Sequence, residues 1–125
     1  MTEAEAQEFA LEWIEAWNSH DLERILAHYT DDVEVTSPLV ESVLGPGLVT
    51  VRGTAELRRY WSSALERYPD LRFTLYRAYA GAGSLVLHYR SIQGLVAAEC
   101  MELDEAGKAR RVLAHYAMGP DPAAA

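Results

Sequence analysis

A single cysteine, Cys100, stands in 125 residues; this excludes an internal disulfide and any cysteine-rich zinc site. Its apolar neighbours place that thiol mid-strand, where it reads as a small buried hydrophobe ahead of a reactive group. No run approaches the roughly 18 apolar residues of a membrane helix. The N-terminal Thr2-Glu-Ala-Glu-Ala6 has neither the basic region nor the apolar run of a signal peptide, so a cytoplasmic location is expected. Positive charge is also scarce: 11 Lys and Arg against 19 Asp and Glu leave a net charge of −8. Arg52, Arg58, Arg59, Arg67, Arg72, Arg77, Arg90, Arg110 and Arg111 are scattered among acids instead of forming a stripe. Nucleic acid and anionic membrane are therefore not expected partners. There is no glycine-rich phosphate cradle, Ser-His-Asp order or nucleophile elbow, and no repeat, linker or low-complexity block.

What remains has the make-up of one soluble domain with one core, half apolar and about a quarter charged. Thr2 and Glu5 form a capping-box signature, after which Ala6, Phe9, Ala10, Trp13, Ile14 and Trp17 recur at helical spacing. Asn18-Ser-His20 breaks that helix, and Asp21 caps a second with Leu22, Ile25, Leu26 and Tyr29 as its stripe. Thr30-Asp-Asp32 reads as a turn before a short strand carrying Val33 and Val35. The stretch from Pro38 to Gly53 is the least regular, with a short strand expected around Leu48–Val51. Thr54 is expected to cap a third helix bearing Leu57, Tyr60, Trp61, Ala64, Leu65 and Tyr68. Four antiparallel strands follow: Leu71–Ala80, Ser84–Ile92, Leu95–Leu103 and about Ala109–Met118. Residues 1–119 read as one domain and Pro120–Ala125 as a frayed tail. Helices preceding an antiparallel sheet imply an α+β layer fold with the helices on one sheet face.

Glu99 is the most informative residue. It lies in the apolar run Leu95-Val-Ala-Ala-Glu-Cys-Met-Glu-Leu103, where an uncompensated carboxylate costs several kcal/mol. Gln93-Gly94 is a two-residue hairpin signal. Pairing Ile92 with Leu95 across that turn sets His88 opposite Glu99, on one face of the sheet. An imidazole facing a carboxylate is either a small acid–base site or a buried structural ion pair. These are two ligands with no third fixed beside them, so no metal is expected. His20, in a helix–helix turn, and His28, on a helix flank, read as solvated or capping residues.

The order of elements, with Ala16-Trp-Asn-Ser-His-Asp-Leu-Glu-Arg-Ile25, Tyr29-Thr-Asp-Asp-Val-Glu-Val35 and Leu103-Asp-Glu-Ala-Gly-Lys108, resembles the SnoaL-like branch of the nuclear transport factor 2-like superfamily over nearly the whole chain. The resemblance implies a cone-shaped α+β barrel: three helices on a curved, mainly antiparallel sheet that encloses a small-molecule pocket, usually in a homodimer. The superfamily includes polyketide cyclases, ketosteroid isomerases, scytalone dehydratases and limonene epoxide hydrolases, besides members that only bind, and fold alone does not choose among them. Ser37 falls where the isomerases carry their general-base aspartate, Trp13 where they carry an oxyanion-hole tyrosine, and Glu99 where they carry a protonated aspartate. Steroid isomerisation by that route is therefore not expected, since a serine hydroxyl is no base near neutral pH. The same alignment turns Val112, Ala114 and Tyr116 toward the cavity; a one-residue bulge at Asp104–Gly107 would turn Leu113 and His115 inward instead.

On this reading His88 transfers the proton, Glu99 orients it and Tyr116 polarises the substrate oxygen. Arg90, on the face of His88, offers a contact to an anionic group of the ligand. Trp13, Trp17, Tyr29, Tyr60 and Trp61 supply aromatic walls, with Ser37, Met101, Val112 and Ala114 completing the lining. The expected activity is that of a cofactor-independent cyclase, isomerase or dehydratase acting on a hydrophobic, polyketide-like carbonyl compound. The alternatives are a non-catalytic ligand-binding module and a dimeric interaction domain.

Overall fold

The computed structural model describes residues 1–117; the tail expected from Pro120 to Ala125 lies outside them, as does Met118. Helix α1 runs Glu3–Ser19, with the Thr2–Glu5 capping box formed in both directions. It ends at His20, which adopts a left-handed conformation (φ 61°) and bonds through Nε2 to the Leu71 carbonyl at 2.7 Å. Asp21 caps the short α2, Leu22–Leu26, by accepting from the amides of Glu23 and Arg24. The second helix is shorter than the periodicity suggests, because Tyr29 already belongs to strand β1, Tyr29–Thr36. The expected turn at Thr30-Asp-Asp32 is instead a bulge inside β1, where the register against its neighbour shifts.

Two further elements occupy the irregular region. A short helix α3, Val40–Leu44, was not foreseen, and the expected strand is β2, Thr50–Arg52. Helix α4, Gly53–Arg67, takes Arg52 as its N-cap in place of Thr54. No side chain caps it, and Glu56 Oε2 accepts from the Arg52 amide at 3.3 Å. Strands β3 (Thr74–Ala80), β4 (Ser84–Arg90), β5 (Val96–Leu103) and β6 (Ala109–Ala117) complete the fold.

The six strands make one sheet in the order β2-β1-β6-β5-β4-β3, antiparallel throughout except for the parallel β1–β6 pair. The sheet is open, with β2 and β3 as its edges, so it wraps the helices without closing. Buried Leu85, Leu87, Tyr89, Ala97, Met101, Val112 and Ala114 alternate along β4, β5 and β6 and give the sheet one inner face. Trp13, Trp17 and Ala10 of α1, and Leu57, Tyr60 and Trp61 of α4, cover it. The chain entering β3 is clamped to α1 by Asn18, which donates from Nδ2 to the Phe73 carbonyl (3.0 Å) and accepts from the Phe73 amide (2.7 Å).

The β4–β5 connection decides the site. The Ile92-Gln93-Gly94-Leu95 turn forms, with the Leu95 amide donating to the Ile92 carbonyl at 3.0 Å and both central residues left-handed (φ 54° and 73°). Yet the ladder does not begin at Ile92. The Ser91 amide donates to the Leu95 carbonyl at 2.7 Å, leaving Ile92 as an extra residue. The resulting pairs are Leu87 with Glu99 and His88 with Ala98. A slip of one residue exchanges the two faces of a strand. The expected pairing of His88 with Glu99 is therefore overturned: Glu99 faces the core, while His88 faces outward, half-buried against the Tyr76 ring at 5.3 Å.

Candidate functional site

Between the helices and the inner sheet face lies a small cavity of about 70 Å³. Its aromatic walls come from α1 (Trp13, Trp17), α4 (Tyr60, Trp61) and Phe73, and Leu39, Ser42 and Val43 of the irregular segment roof it. Glu99, Ala114 and Tyr116 reach it from β5 and β6, Tyr89 from β4 and Ser37 from the end of β1. Tyr68, Leu71, Ser91 and Ile92 complete its outer end.

Glu99 is the sole carboxylate on this wall among the described residues and is 6% exposed. Tyr89 Oη donates to its Oε1 at 2.6 Å. Tyr89 pairs with Ala97 and Leu87 with Glu99, so the two side chains are diagonal neighbours on one face. Burial pushes the Glu99 carboxyl up to about 7, against the opposing pull of the Tyr89 bond. Tyr60 is pushed up to about 12, mainly by burial and further by Glu99, while the Ser37 hydroxyl works against the rise. Tyr116, Tyr89 and Tyr29 are shifted upward for the same leading reason, with Glu99 adding to each. The result is one carboxyl poised near neutrality among phenols that stay protonated and able to donate. Behind it, Trp13 Nε1 donates to Tyr29 Oη at 2.8 Å, whereas the buried indole N–H of Trp17 has no partner among the described residues.

The expected site residues divide as follows. Glu99, Tyr116, Trp13, Trp17, Ser37, Tyr60, Trp61 and Ala114 come together on the cavity wall. Tyr29, Met101 and Val112 are buried on the same side but stand behind it. The preferred inward set of β6 is the one observed. The register differs from the expected one by two residues, Glu99 facing Ala114 in place of Val112, and an even slip preserves the face. Leu113 and His115 lie on the outer face, opposite Cys100 and Ala98. Arg90 does not enter the cavity and stands in an outer depression beside it. Tyr89, the partner of Glu99, was missed. Its signal was present in the alternation of Leu85, Leu87 and Tyr89 against Val86, His88 and Arg90.

This architecture has known counterparts. Residues 10–118 match the SnoaL-like domain. The chain belongs to the SnoaL-like family. A SnoaL-like protein of unknown function from Burkholderia thailandensis E264 is 41% identical and superposes with a TM-score of 0.88, the match covering 94% of this chain and 99% of that one. A proposed ketosteroid isomerase from Kribbella flavida DSM 17836 is 20% identical (TM-score 0.71; 96% and 83% covered). A proposed isomerase of the SnoaL-like family from Agrobacterium tumefaciens C58 is 16% identical (TM-score 0.73; 92% and 99% covered). At those identities the last two share the fold alone. No curated protein matches the chain. Among the described residues no helix is long and apolar enough to cross a membrane.

Proposed function

We propose that this SnoaL-like protein is a cofactor-independent enzyme that moves a proton on a small hydrophobic carbonyl compound, with Glu99 as its acid–base group. The observation that carries the reading is the buried Glu99 carboxyl, held by Tyr89 and raised to about 7 in an aromatic cavity. As carboxylate, Glu99 takes a proton from the carbon next to the carbonyl, and the C–H electron pair becomes the enolate. The enolate oxygen accepts a hydrogen bond from Tyr116 or Tyr60, whose phenols stay protonated. Protonated Glu99 then returns its proton, either to another carbon in an isomerisation or to a departing hydroxyl in a dehydration. His88 has no part, because it faces away.

The test is turnover on a panel of cyclic enones and β-hydroxy ketones. Glu99→Gln is expected to lower kcat/KM by about 10²–10⁴-fold and Tyr116→Phe by roughly tenfold or more, whereas His88→Ala leaves it unchanged. Wild-type kcat/KM should rise with pH to a plateau above about 7, as the base ionises. Wild-type rates in Glu99→Gln would remove the assignment. An unmodified ligand recovered from the protein, with no turnover across the panel, would make the domain a binding module.

Self-association belongs to the same reading. The outer sheet face carries half-buried Val86, Cys100 and Leu113 in one cross-strand row, beside the row of His88, Ala98 and His115, a surface suited to a second copy. Light scattering at micromolar concentration is expected to give twice the chain's 13.9 kDa; a monomeric mass would refute it.

A further inference from the structure

Just outside the cavity is a second, open depression of about 440 Å³, walled by residues 67–72 and 90–94. Tyr68, Leu71, Ser91 and Ile92 line both spaces, so one faces the outer end of the other. Three arginines reach this depression from separate elements: Arg67 from the last turn of α4, Arg72 from the segment leading into β3, and Arg90 from the last residue of β4. Among the described residues that line it, Asp70 is the one acid, leaving these an excess of two positive charges on a protein whose net charge is −8.

Elsewhere on the surface four arginines meet carboxylates, while Arg59, Arg77 and Arg110 stand without such a pair among the described residues. Arg24 pairs with Glu12 and Glu15, Arg52 with Glu34, Arg58 with Glu23, and Arg111 with Glu102. Among the described residues Arg67, Arg72 and Arg90 have no such partner. Arg67 bonds only the Ser42 carbonyl of α3, a segment that roofs the cavity. Ser91 adds a hydroxyl on the shared wall. The backbone holds these groups in place. The depression's floor is tied to α1 through His20 and the Leu71 carbonyl, and its far side is the tight Ile92–Leu95 turn.

We propose that this depression binds the anionic group, a carboxylate or a phosphate, of a small molecule whose apolar end enters the aromatic cavity. Guanidinium groups suit such oxyanions through paired N–H donors. The cavity, at about 70 Å³, is too small to hold a drug-sized ligand alone. The substrate class thus becomes an amphiphilic acid, with its reacting carbonyl near Glu99 and its charge outside. This deepens the proposed function and rests on that reading only for the position of the carbonyl.

Two probes of one shape, pentanoate and its methyl ester, whose short apolar chain matches the size of the cavity, are titrated against the whole protein by calorimetry and by the fluorescence of the cavity tryptophans, with inorganic phosphate as competitor. The acid is expected to bind roughly tenfold tighter than the ester, and its advantage should shrink as salt is raised. In Arg72→Ala/Arg90→Ala the acid should fall to the affinity of the ester, with the ester unchanged. Competition by phosphate against the acid alone would assign a phosphate-type headgroup; its failure with the preference intact would assign a carboxylate. Equal binding of acid and ester, binding of neither, or a preference that survives the double substitution overturns the proposal. The readout is binding, so an enzyme dead in every turnover assay can still show the arginine-dependent preference, and an active one can lack it.

Discussion

At pH 8, Glu99→Gln is expected to be more stable than the wild type, by about 3 kcal/mol, and at pH 4.5 the two should be nearly equal. The glutamate's ordinary value is 4.5 and burial raises it to about 7 in the folded protein. A group whose folded value lies above its unfolded one is protonated preferentially in the folded state. Its contribution to stability is therefore fully present below about 4.5. It declines as pH rises toward about 7 and stays lost above that, where a buried carboxylate must be carried without a cationic partner. The amide removes the charge and keeps an oxygen to accept from Tyr89, which now donates at 2.6 Å. Urea denaturation at both pH values measures the difference. A variant less stable than the wild type at pH 8, or an equal gain at both values, would show that Glu99 ionises in a better-solvated setting. Stability lost at Glu99 and restored by Gln, alongside loss of turnover, is the pattern of a group kept for chemistry.

Trp13→Ala is expected to cost about 4 kcal/mol, a large part of the 5–15 kcal/mol typical of a domain. Trp13 is 1% exposed, donates to Tyr29, and packs against Phe73 at 5.7 Å and edge-on against Tyr89 at 5.0 Å. Its removal opens a void among three aromatic rings, and the surrounding sheet and helices can close that void only in part. It also strips the Tyr29 hydroxyl of its donor and loosens Tyr89, the residue that holds Glu99. The melting temperature should fall by roughly 10–20 °C, while Trp13→Phe, which keeps most of the ring contact, should lose about half as much. A drop of less than about 1 kcal/mol would mean that the aromatic cluster repacks freely.

The two predictions draw on different kinds of information. Trp13 is legible from its place in the Ala6–Phe9–Ala10–Trp13–Ile14–Trp17 pattern, since a helix of 3.6 residues per turn brings those side chains onto one stripe. The caps at Thr2 and Asp21 are equally local, each depending on an oxygen within three residues of the amides it serves. Local reasoning failed where two local signals conflicted. Turn arithmetic at Gln93-Gly94 placed His88 with Glu99, whereas the alternation of Leu85, Leu87 and Tyr89 placed those three residues inside. Burial of three large side chains outweighs the regularity of one turn, so the ladder gave up a residue at Ile92 and kept the apolar face inward. At Asp104–Gly107 the register moved by an even number, and the inward set survived.

Composition, helix periodicity, caps and the run of strands were enough to indicate an α+β domain, with Glu99 as its conspicuous internal acid, because each depends on residues close together along the chain; the SnoaL-like family entered through the resemblance of its motifs and the match over residues 10–118. The identity of that acid's partner, the small size of the aromatic cavity and the gathering of Arg67, Arg72 and Arg90 at its outer end depend on how distant segments meet. They were settled by competition for buried space among α1, α4 and the sheet, a contest whose outcome no stretch of neighbouring residues contains.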